Sequence, residues 1–170
     1  MPQRKIILNL CTSLDGYIEG AQGEIDWCYT DQDYGMTAFL ESVDTIFFGR
    51  HSYKQLLEMA PEAFADKQKV VFSTTLSATK DIQVLSGDVK TEVLQILAKS
   101  GKNIWLFGGA QLINSLLELG LVDEMMVAVH PLLLGSGKSL VGELSQRVQL
   151  ELKDTITYST GLVQLIYGVV

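Results

Sequence analysis

The stretch Asn103-Ile104-Trp105-Leu106-Phe107-Gly108-Gly109-Ala110-Gln111-Leu112-Ile113 sets the pattern that the rest of the chain repeats. Its large apolar residues predict a strand over 104–107, and the glycine pair predicts a sharp turn. Leucine and isoleucine then recur at helical spacing, which predicts a helix over 110–119. A glycine turn that opens a helix leaves backbone N–H groups free to bind a phosphate. A plain strand–helix connection explains the same residues, so this stretch alone leaves both interpretations open.

The same strand–glycine–helix pattern occurs earlier in the chain. A buried strand is predicted over 43–49, and a helix follows it through Met59. The turn between them carries Arg50, His51 and Ser52. Arginine forks onto phosphate oxygens and serine donates its hydroxyl, so the group indicates a phosphate site. His51 taken alone is typical of a surface or capping histidine.

The composition indicates one globular domain with a sizeable core, because 170 residues of which 47% are hydrophobic are enough to build one. The formal net charge of −7 argues against non-specific binding to nucleic acid or to an anionic membrane. Cys11 and Cys28 match neither a metal-ligand spacing nor a disulfide framework, so we expect no metal and two reduced, mostly buried thiols. We find no signal peptide and no apolar run of the ~20 residues that span a bilayer, and we expect a cytoplasmic protein.

The N-terminal part of the chain holds the polar residues whose roles are most open. A strand is predicted over 5–12, and Asn9 inside it either finds polar partners or faces a ligand. A long loop follows to about residue 31, and its Trp27 either packs on the core or belongs to a substrate loop. Asp31 and Asp33 precede a helix predicted over 33–42, where carboxylates usually cap.

The remaining segments complete an alternating order of strands and helices. Strands are predicted over 69–72, 82–85 and 125–130, and a hairpin over 148–157 and 162–169. A helix is predicted to start at Gly87 and Asp88 and to be closed by Gly101. His130 is predicted to be a satisfied residue at a strand end. Residues 134–139 resemble a phosphate loop, but the glycine that the pattern requires is Leu132, so we predict a flexible turn.

This order predicts an α/β fold with a mostly parallel sheet, helices on both faces and an antiparallel C-terminal hairpin. Ligands of such sheets bind beyond the carboxyl ends of the strands. Three candidate phosphate segments lie at those ends, namely 49–52, 73–74 and 108–112. Because the three coincide, we expect a nucleotide with several phosphates to span them.

Several segments together carry a resemblance to a known family. They are Ser13-Leu14-Asp15-Gly16-Tyr17-Ile18, Gly49-Arg50-His51-Ser52-Tyr53, Ser73-Thr74, Phe107-Gly108-Gly109-Ala110, and Gly120-Leu121-Val122-Asp123-Glu124 before a strand ended by Pro131. In this order they resemble the dihydrofolate-reductase-like superfamily. More closely, the chain is similar to the C-terminal reductase domain of the bifunctional riboflavin-biosynthesis deaminase/reductase and to its stand-alone bacterial relatives. The resemblance covers nearly the whole chain and implies a single three-layer αβα domain over 1–170.

The resemblance implies an NADPH-dependent reductase, and it assigns residues to each part of the cofactor. The adenosine-side phosphates and the 2′-phosphate match Gly49, Arg50, His51, Ser52, Ser73 and Thr74. The pyrophosphate matches the turn and helix start Gly108, Gly109, Ala110, Gln111 and Leu112, where the family joins the two glycines by a cis peptide. The nicotinamide matches Leu10, Cys11 and Ile18.

On the substrate side, the resemblance implies hydride transfer to an imine or carbonyl, most closely that of 5-amino-6-(5-phosphoribosylamino)uracil reduction. Asp33 falls near the position of a substrate-binding carboxylate and is the catalytic candidate, with Asp31 as its competitor. Asn9, Asp15 and Trp27 are the substrate-binding candidates. The sequence shows no deaminase domain and no clear basic cluster for the substrate's phosphate. Dihydrofolate reduction, and nucleotide binding without turnover, therefore stay open as alternatives.

The apolar strands near the C-terminus favour a homodimer, because dimers often cover an unpaired sheet edge.

Overall fold

The structure is a computed structural model that describes residues 4–170, so the first three residues of the predicted domain lie outside it. Its ten strands and four helices follow one another along the described chain as β1 (Ile6–Ser13), β2 (Tyr17–Glu19), α1 (Met36–Ser42), β3 (Val43–Gly49), α2 (Arg50–Met59), β4 (Gln68–Phe72), β5 (Ile82–Leu85), α3 (Val89–Leu97), β6 (Asn103–Gly108), α4 (Ala110–Glu118), β7 (Glu124–His130), β8 (Lys138–Ser139), β9 (Leu150–Thr157) and β10 (Val163–Val169).

Eight of the strands form one mixed sheet in the order β5-β4-β3-β6-β1-β7-β10-β9. The first six strands in this order, β5 through β7, are all parallel to one another. The last two differ, because β10 is antiparallel to both β7 and β9. This confirms the predicted parallel sheet with an antiparallel C-terminal hairpin. The carboxyl ends of β3, β6 and β1 consequently lie side by side at one edge of the sheet.

Two hydrophobic clusters cover the two faces of this sheet. On one face α3 and α4 pack against the strands, with Ile113 and Leu116 fully buried. On the other face Phe39 of α1 contacts Trp105 edge-on, at 5.4 Å between ring centroids, and Tyr53 of α2 packs nearby. The central strand β1 contributes to both clusters, because its successive side chains point to opposite faces. The predicted three-layer αβα arrangement is confirmed.

The segment from 134 to 139 differs from its prediction as a flexible turn. Its end forms β8, which pairs with β2 so that Tyr17 lies opposite Ser139. Lys138 Nζ also lies 2.9 Å from a carboxylate oxygen of Glu19. A strand of two residues carries too little periodicity to be read from sequence, and its partner lies more than a hundred positions away.

The first helix begins at Met36, three residues later than predicted. Tyr34 and Gly35 precede it with φ angles of 49° and 78°, in the left-handed region. A right-handed helix cannot contain residues in that conformation, so Asp33 lies ahead of the helix. Within residues 4–170 no helix combines the length and the apolar character that a bilayer crossing requires.

Candidate functional site

The glycine turns after β3 and β6 touch each other. A methyl group added to Gly49 would lie 3.1 Å from the backbone nitrogen of Gly109 and 3.5 Å from the carbonyl oxygen of Gly108. A methyl group on Gly109 would lie 3.1 Å from Ser52 Oγ. The two backbones approach so closely because β3 and β6 are parallel neighbours. Two of the three predicted phosphate segments therefore form one surface of bare backbone.

The second of these turns has the conformation that the family resemblance implied. A cis peptide joins Gly108 to Gly109, and Gly108 has a φ of 121°. Only glycine adopts that φ readily, because any side chain there would meet its own backbone. The predicted helix start at Ala110 is also confirmed.

The N-termini of α2 and α4 are free of side-chain caps. Neither Gly49 nor Gly109 provides a capping hydrogen bond, and neither helix has an acidic residue in its first turn. By contrast, Asp88 caps α3 by accepting a 2.9 Å hydrogen bond from the Thr91 amide. Unpaired N–H groups and the positive end of the helix dipole both favour an anion. Two such ends meeting at one place fit the adjacent phosphates of a dinucleotide.

A third segment lies beside these helix ends. Arg50 Nη1 donates a 3.2 Å hydrogen bond to the hydroxyl of Thr75 in the turn after β4, and Arg50 Nη2 lies 3.2 Å from His51 Nε2. Ser73 is buried, and its hydroxyl accepts hydrogen bonds from the amides of Thr75 (3.2 Å) and Leu76 (3.1 Å). Ser73 therefore shapes the turn, and Thr75, absent from the predicted set, is the residue that holds Arg50.

The other end of the site is organised by His130, at the carboxyl end of β7. The ring is fully buried, and its Nε2 accepts a 3.1 Å hydrogen bond from the Tyr29 amide. Its Nδ1 lies 3.1 Å from the Ala128 carbonyl, to which it donates. Burial lowers the pKa of His130 below its ordinary value, so the ring is neutral at neutral pH. The predicted satisfied strand-end histidine is confirmed, and it also anchors a distant loop.

The loop that His130 anchors contains Trp27 and Tyr29. Their rings contact the imidazole edge-on, at centroid distances of 5.4 Å and 4.9 Å. Trp27 is half-buried and donates from Nε1 to the Glu24 carbonyl at 3.2 Å. The ring packs on His130, as one interpretation of Trp27 predicted, and the role of the residue in a substrate loop stays a prediction.

Asp15 ties two loops together. Its carboxylate accepts hydrogen bonds from the Ser13 hydroxyl (2.6 Å) and from the amides of Leu134 (3.1 Å) and Gly135 (2.7 Å). These contacts lower the pKa of Asp15, with the Ser13 hydroxyl contributing most. The structure thus gives Asp15 a loop-closing position, and its role in substrate binding stays a prediction.

Asp33 caps the first helix from outside. One carboxylate oxygen accepts from the Thr37 hydroxyl at 2.6 Å and from the Thr37 amide at 3.0 Å, and these bonds lower the pKa of Asp33. The competitor Asp31 accepts a 2.7 Å hydrogen bond from the Tyr34 hydroxyl. Both carboxylates are exposed on the same short segment. The catalytic role of Asp33 stays a prediction beside the capping role that the structure shows.

The remaining predicted residues lie along β1 and β2. Asn9 is buried, and its carbonyl accepts a 2.9 Å hydrogen bond from Trp105 Nε1. Leu10 and Cys11 follow near the carboxyl end of β1, where Cys11 pairs with Ala128 of β7. Ile18 is half-buried in β2. The two cysteines are free and partly buried, which agrees with the prediction of reduced, mostly buried thiols.

A groove of about 860 Å³ lies away from these residues. It runs between α2, the amino ends of β4 and β5, and residues 78–81. Because the uncapped helix ends and glycine turns lie at the opposite ends of the strands, we place the site at the turns.

Known proteins resemble this chain in sequence and in fold. The family model described as the RibD C-terminal domain matches residues 4–164. The chain belongs to this family. It is 40% identical over 180 residues to the protein YyaP of Bacillus subtilis (strain 168), covering 98% of this chain and 96% of that protein. A solved protein of Shewanella sp. PV-4, named for riboflavin biosynthesis, matches with a TM-score of 0.88 and 26% identity over 98% of this chain and 99% of that one.

A more distant structure shows the same fold. Dihydrofolate reductase from Enterococcus faecalis, solved in complex with NADP(H), matches with a TM-score of 0.72 and 16% identity, over 98% of this chain and 97% of that one. The dihydrofolate-reductase-like fold and the RibD-type family are thus confirmed, and together they support an oxidoreductase.

Five residues near the candidate site were not predicted from the family resemblance. They are Thr75, Cys28, Tyr29, Tyr34 and Tyr158. The last two contact each other edge-on at 4.8 Å, next to the turn before β10. No local pattern marks them, because each gains its position from a partner far along the chain.

Proposed function

We propose that this protein is an NADPH-dependent reductase that transfers hydride to an imine or carbonyl carbon of a small molecule, of the 5-amino-6-(5-phosphoribosylamino)uracil reductase type. The observation that carries the proposal is the meeting of two uncapped helix N-termini over the bare backbone of Gly49, Gly108 and Gly109. Family membership supports the reaction class, since the family is that of a reductase domain.

The groups best suited to bind the cofactor are those that would bind its phosphates. The amides of the first turns of α2 and α4 would hold the pyrophosphate, with the Ser52 hydroxyl between them. Arg50 lies at the side of this surface, next to Thr75 and His51. Its guanidinium would pair with the 2′-phosphate, which distinguishes NADPH from NADH. Ser73 and Thr74 would shape and border that part of the site.

The nicotinamide end would lie at the carboxyl end of β1, near Leu10, Cys11 and Ile18. NADPH supplies the hydride when it is bound, and the chain orients the ring and keeps water from it. The loop anchored on His130 borders this end with the rings of Trp27 and Tyr29. A flat heterocyclic substrate would stack against such aromatic side chains.

Asp33 would orient the substrate rather than donate a proton. Its lowered pKa keeps the carboxylate ionised at neutral pH, and an ionised carboxylate accepts hydrogen bonds only. An amino group on an aminopyrimidine is a suitable donor to it. The proton that the reduction consumes would then reach the substrate from water.

The first experiment titrates NADPH and NADH separately into the purified protein and follows fluorescence. We expect NADPH to bind more tightly than NADH. Consumption of NADPH with aminopyrimidine ribosides and with dihydrofolate then separates the two reductase activities. Binding without any turnover would favour the nucleotide-binding alternative, and no binding of either nucleotide would refute the proposal.

We also propose that the protein forms a homodimer through β9. This strand lies at the edge of the eight-stranded sheet, and Leu152 and Ile156 on it are exposed. An unpaired edge with apolar residues is commonly covered by a second copy. Sedimentation that shows only monomers at micromolar concentration would contradict this.

A further inference from the structure

Cys11 and Cys28 meet at the nicotinamide end of the site, although 17 positions separate them in the chain. Cys11 lies on β1 opposite Ala128, two positions before the pair formed by Ser13 and His130. Cys28 lies between Trp27 and Tyr29, whose rings both contact His130. Because the Tyr29 amide donates to His130 Nε2 at 3.1 Å, the loop is fixed above the ends of β1 and β7.

The two side chains lie close enough to influence each other's ionisation. Each thiol is the largest single influence on the other, and the interaction lowers the pKa of Cys11 while raising that of Cys28. Both cysteines are free, and both are partly exposed to solvent. A thiol that ionises more readily, next to one that stays protonated, is the arrangement in which one sulfur attacks an oxidant and the other resolves the product.

We propose that Cys11 and Cys28 are a reversible redox pair that hydrogen peroxide converts into an intramolecular disulfide. The Cys11 thiolate attacks one peroxide oxygen, the O–O bond breaks, and hydroxide leaves to give a sulfenic acid at Cys11. The Cys28 sulfur then attacks the Cys11 sulfur, an S–S bond forms, and the sulfenic oxygen departs as water with the Cys28 proton. Two thiols are oxidised, one peroxide is reduced to two waters, and a thiol reductant reverses the bond.

The disulfide would link the loop covering one end of the site to the strand beneath it. Cys11 lies where the nicotinamide would bind, so this consequence rests on the proposed function. A loop fastened to β1 at that point reduces the space and the mobility that the cofactor requires. We expect oxidised protein to bind NADPH about fivefold more weakly than reduced protein, a modest coupling between two linked sites.

The experiment treats the full-length protein with hydrogen peroxide and analyses tryptic peptides without reduction. The expected result is a cross-linked peptide that joins Cys11 to Cys28, with a mass lower by two hydrogens than the two thiol peptides together. Dithiothreitol should restore both thiols. NADPH is titrated into the reduced, oxidised and re-reduced protein, and Cys28→Ser is the matched control. The NADPH affinity of reduced Cys28→Ser is the reference for that variant, and peroxide should not change it.

The possible outcomes test the disulfide, its effect on NADPH binding and the proposed reductase function separately. Sulfinic or sulfonic acids at the two cysteines, or bridges between chains without the internal cross-link, would overturn the redox pair. A cross-link that leaves NADPH affinity unchanged would overturn the coupling. If reduced protein does not bind NADPH, the proposed function fails, and the cross-linked peptide still decides whether the pair forms.

Discussion

The two ends of the site are built in different ways. The phosphate end consists of backbone: glycine turns at the ends of adjacent strands and two helix N-termini without side-chain caps. The end proposed for the nicotinamide consists of loops that side chains hold together, through contacts such as His130 with Tyr29 and Asp15 with Gly135. Apart from Arg50, the first end should therefore tolerate changes of side chain but not added volume, whereas the second should fail when a single anchor is removed.

The largest effect is expected from His130→Ala. The change leaves a cavity and an unpaired Tyr29 amide, and we expect the free energy of unfolding to fall by about 3 kcal/mol. Chemical denaturation measures it. His51→Ala is the matched control, because His51 is exposed and its loss should leave stability nearly unchanged. Equal stabilities for the two variants would show that the loop does not depend on His130.

Arg50→Ala tests the proposed contact between the Arg50 side chain and the 2′-phosphate of NADPH. Hydrogen bonds to charged groups contribute about 1.5–3 kcal/mol, so NADPH affinity should fall roughly tenfold or more. NADH should lose much less, because it lacks the 2′-phosphate. Paired titrations measure both, with Arg50→Lys retaining the charge but not the fork. An equal loss for NADPH and NADH would move Arg50 away from the 2′-phosphate.

Gly49→Ala and Gly120→Ala separate added volume from backbone strain. Gly49 has a φ of −71°, which alanine accepts, but its new methyl group would press on the Gly109 backbone at 3.1 Å. Gly120 has a φ of 64° and open space around it. We expect Gly49→Ala to weaken NADPH binding about tenfold, or ~1.4 kcal/mol. Gly120→Ala should cost about 1 kcal/mol of stability and no affinity. The reverse pattern would mean that the glycine contact does not form the cofactor site.

The same contrast explains which parts could be predicted from sequence. The turns at Gly49 and Gly108 are local features, and buried parallel strands show as continuous apolar runs, so the sheet and the glycine turns at its carboxyl edge were predictable. The start of α1 was misplaced because Tyr34 adopts a left-handed conformation that tyrosine rarely shows. The contact of Cys28 with Cys11 and that of Thr75 with Arg50 depend on tertiary folding, and no spacing along the chain encodes them.

A smaller effect is expected from the pH dependence of stability. Burial lowers the pKa of His130 from its ordinary 6.5, so the unfolded chain binds a proton that the folded chain refuses. The resulting stability is fully present above pH 6.5 and is lost as the pH falls from there through the folded-state pKa. Denaturation at stepped pH should show this decline, and His130→Gln should flatten it. A decline of equal steepness in His130→Gln would assign it to other groups.

The smallest effect on stability is expected from substitutions of Asp33. These substitutions distinguish a role in orienting the substrate from a role in capping α1. Asparagine keeps an oxygen that can accept from Thr37, so Asp33→Asn should preserve the helix cap, whereas Asp33→Ala should lower the thermal midpoint slightly. If the carboxylate orients the substrate, both variants should lose turnover while NADPH affinity stays unchanged. If Asp33 only caps α1, turnover should follow stability, so that Asp33→Asn behaves like the wild-type chain. Turnover that survives in Asp33→Asn would thus remove Asp33 from the chemistry and direct attention to Asp31, whose carboxylate is already paired with Tyr34.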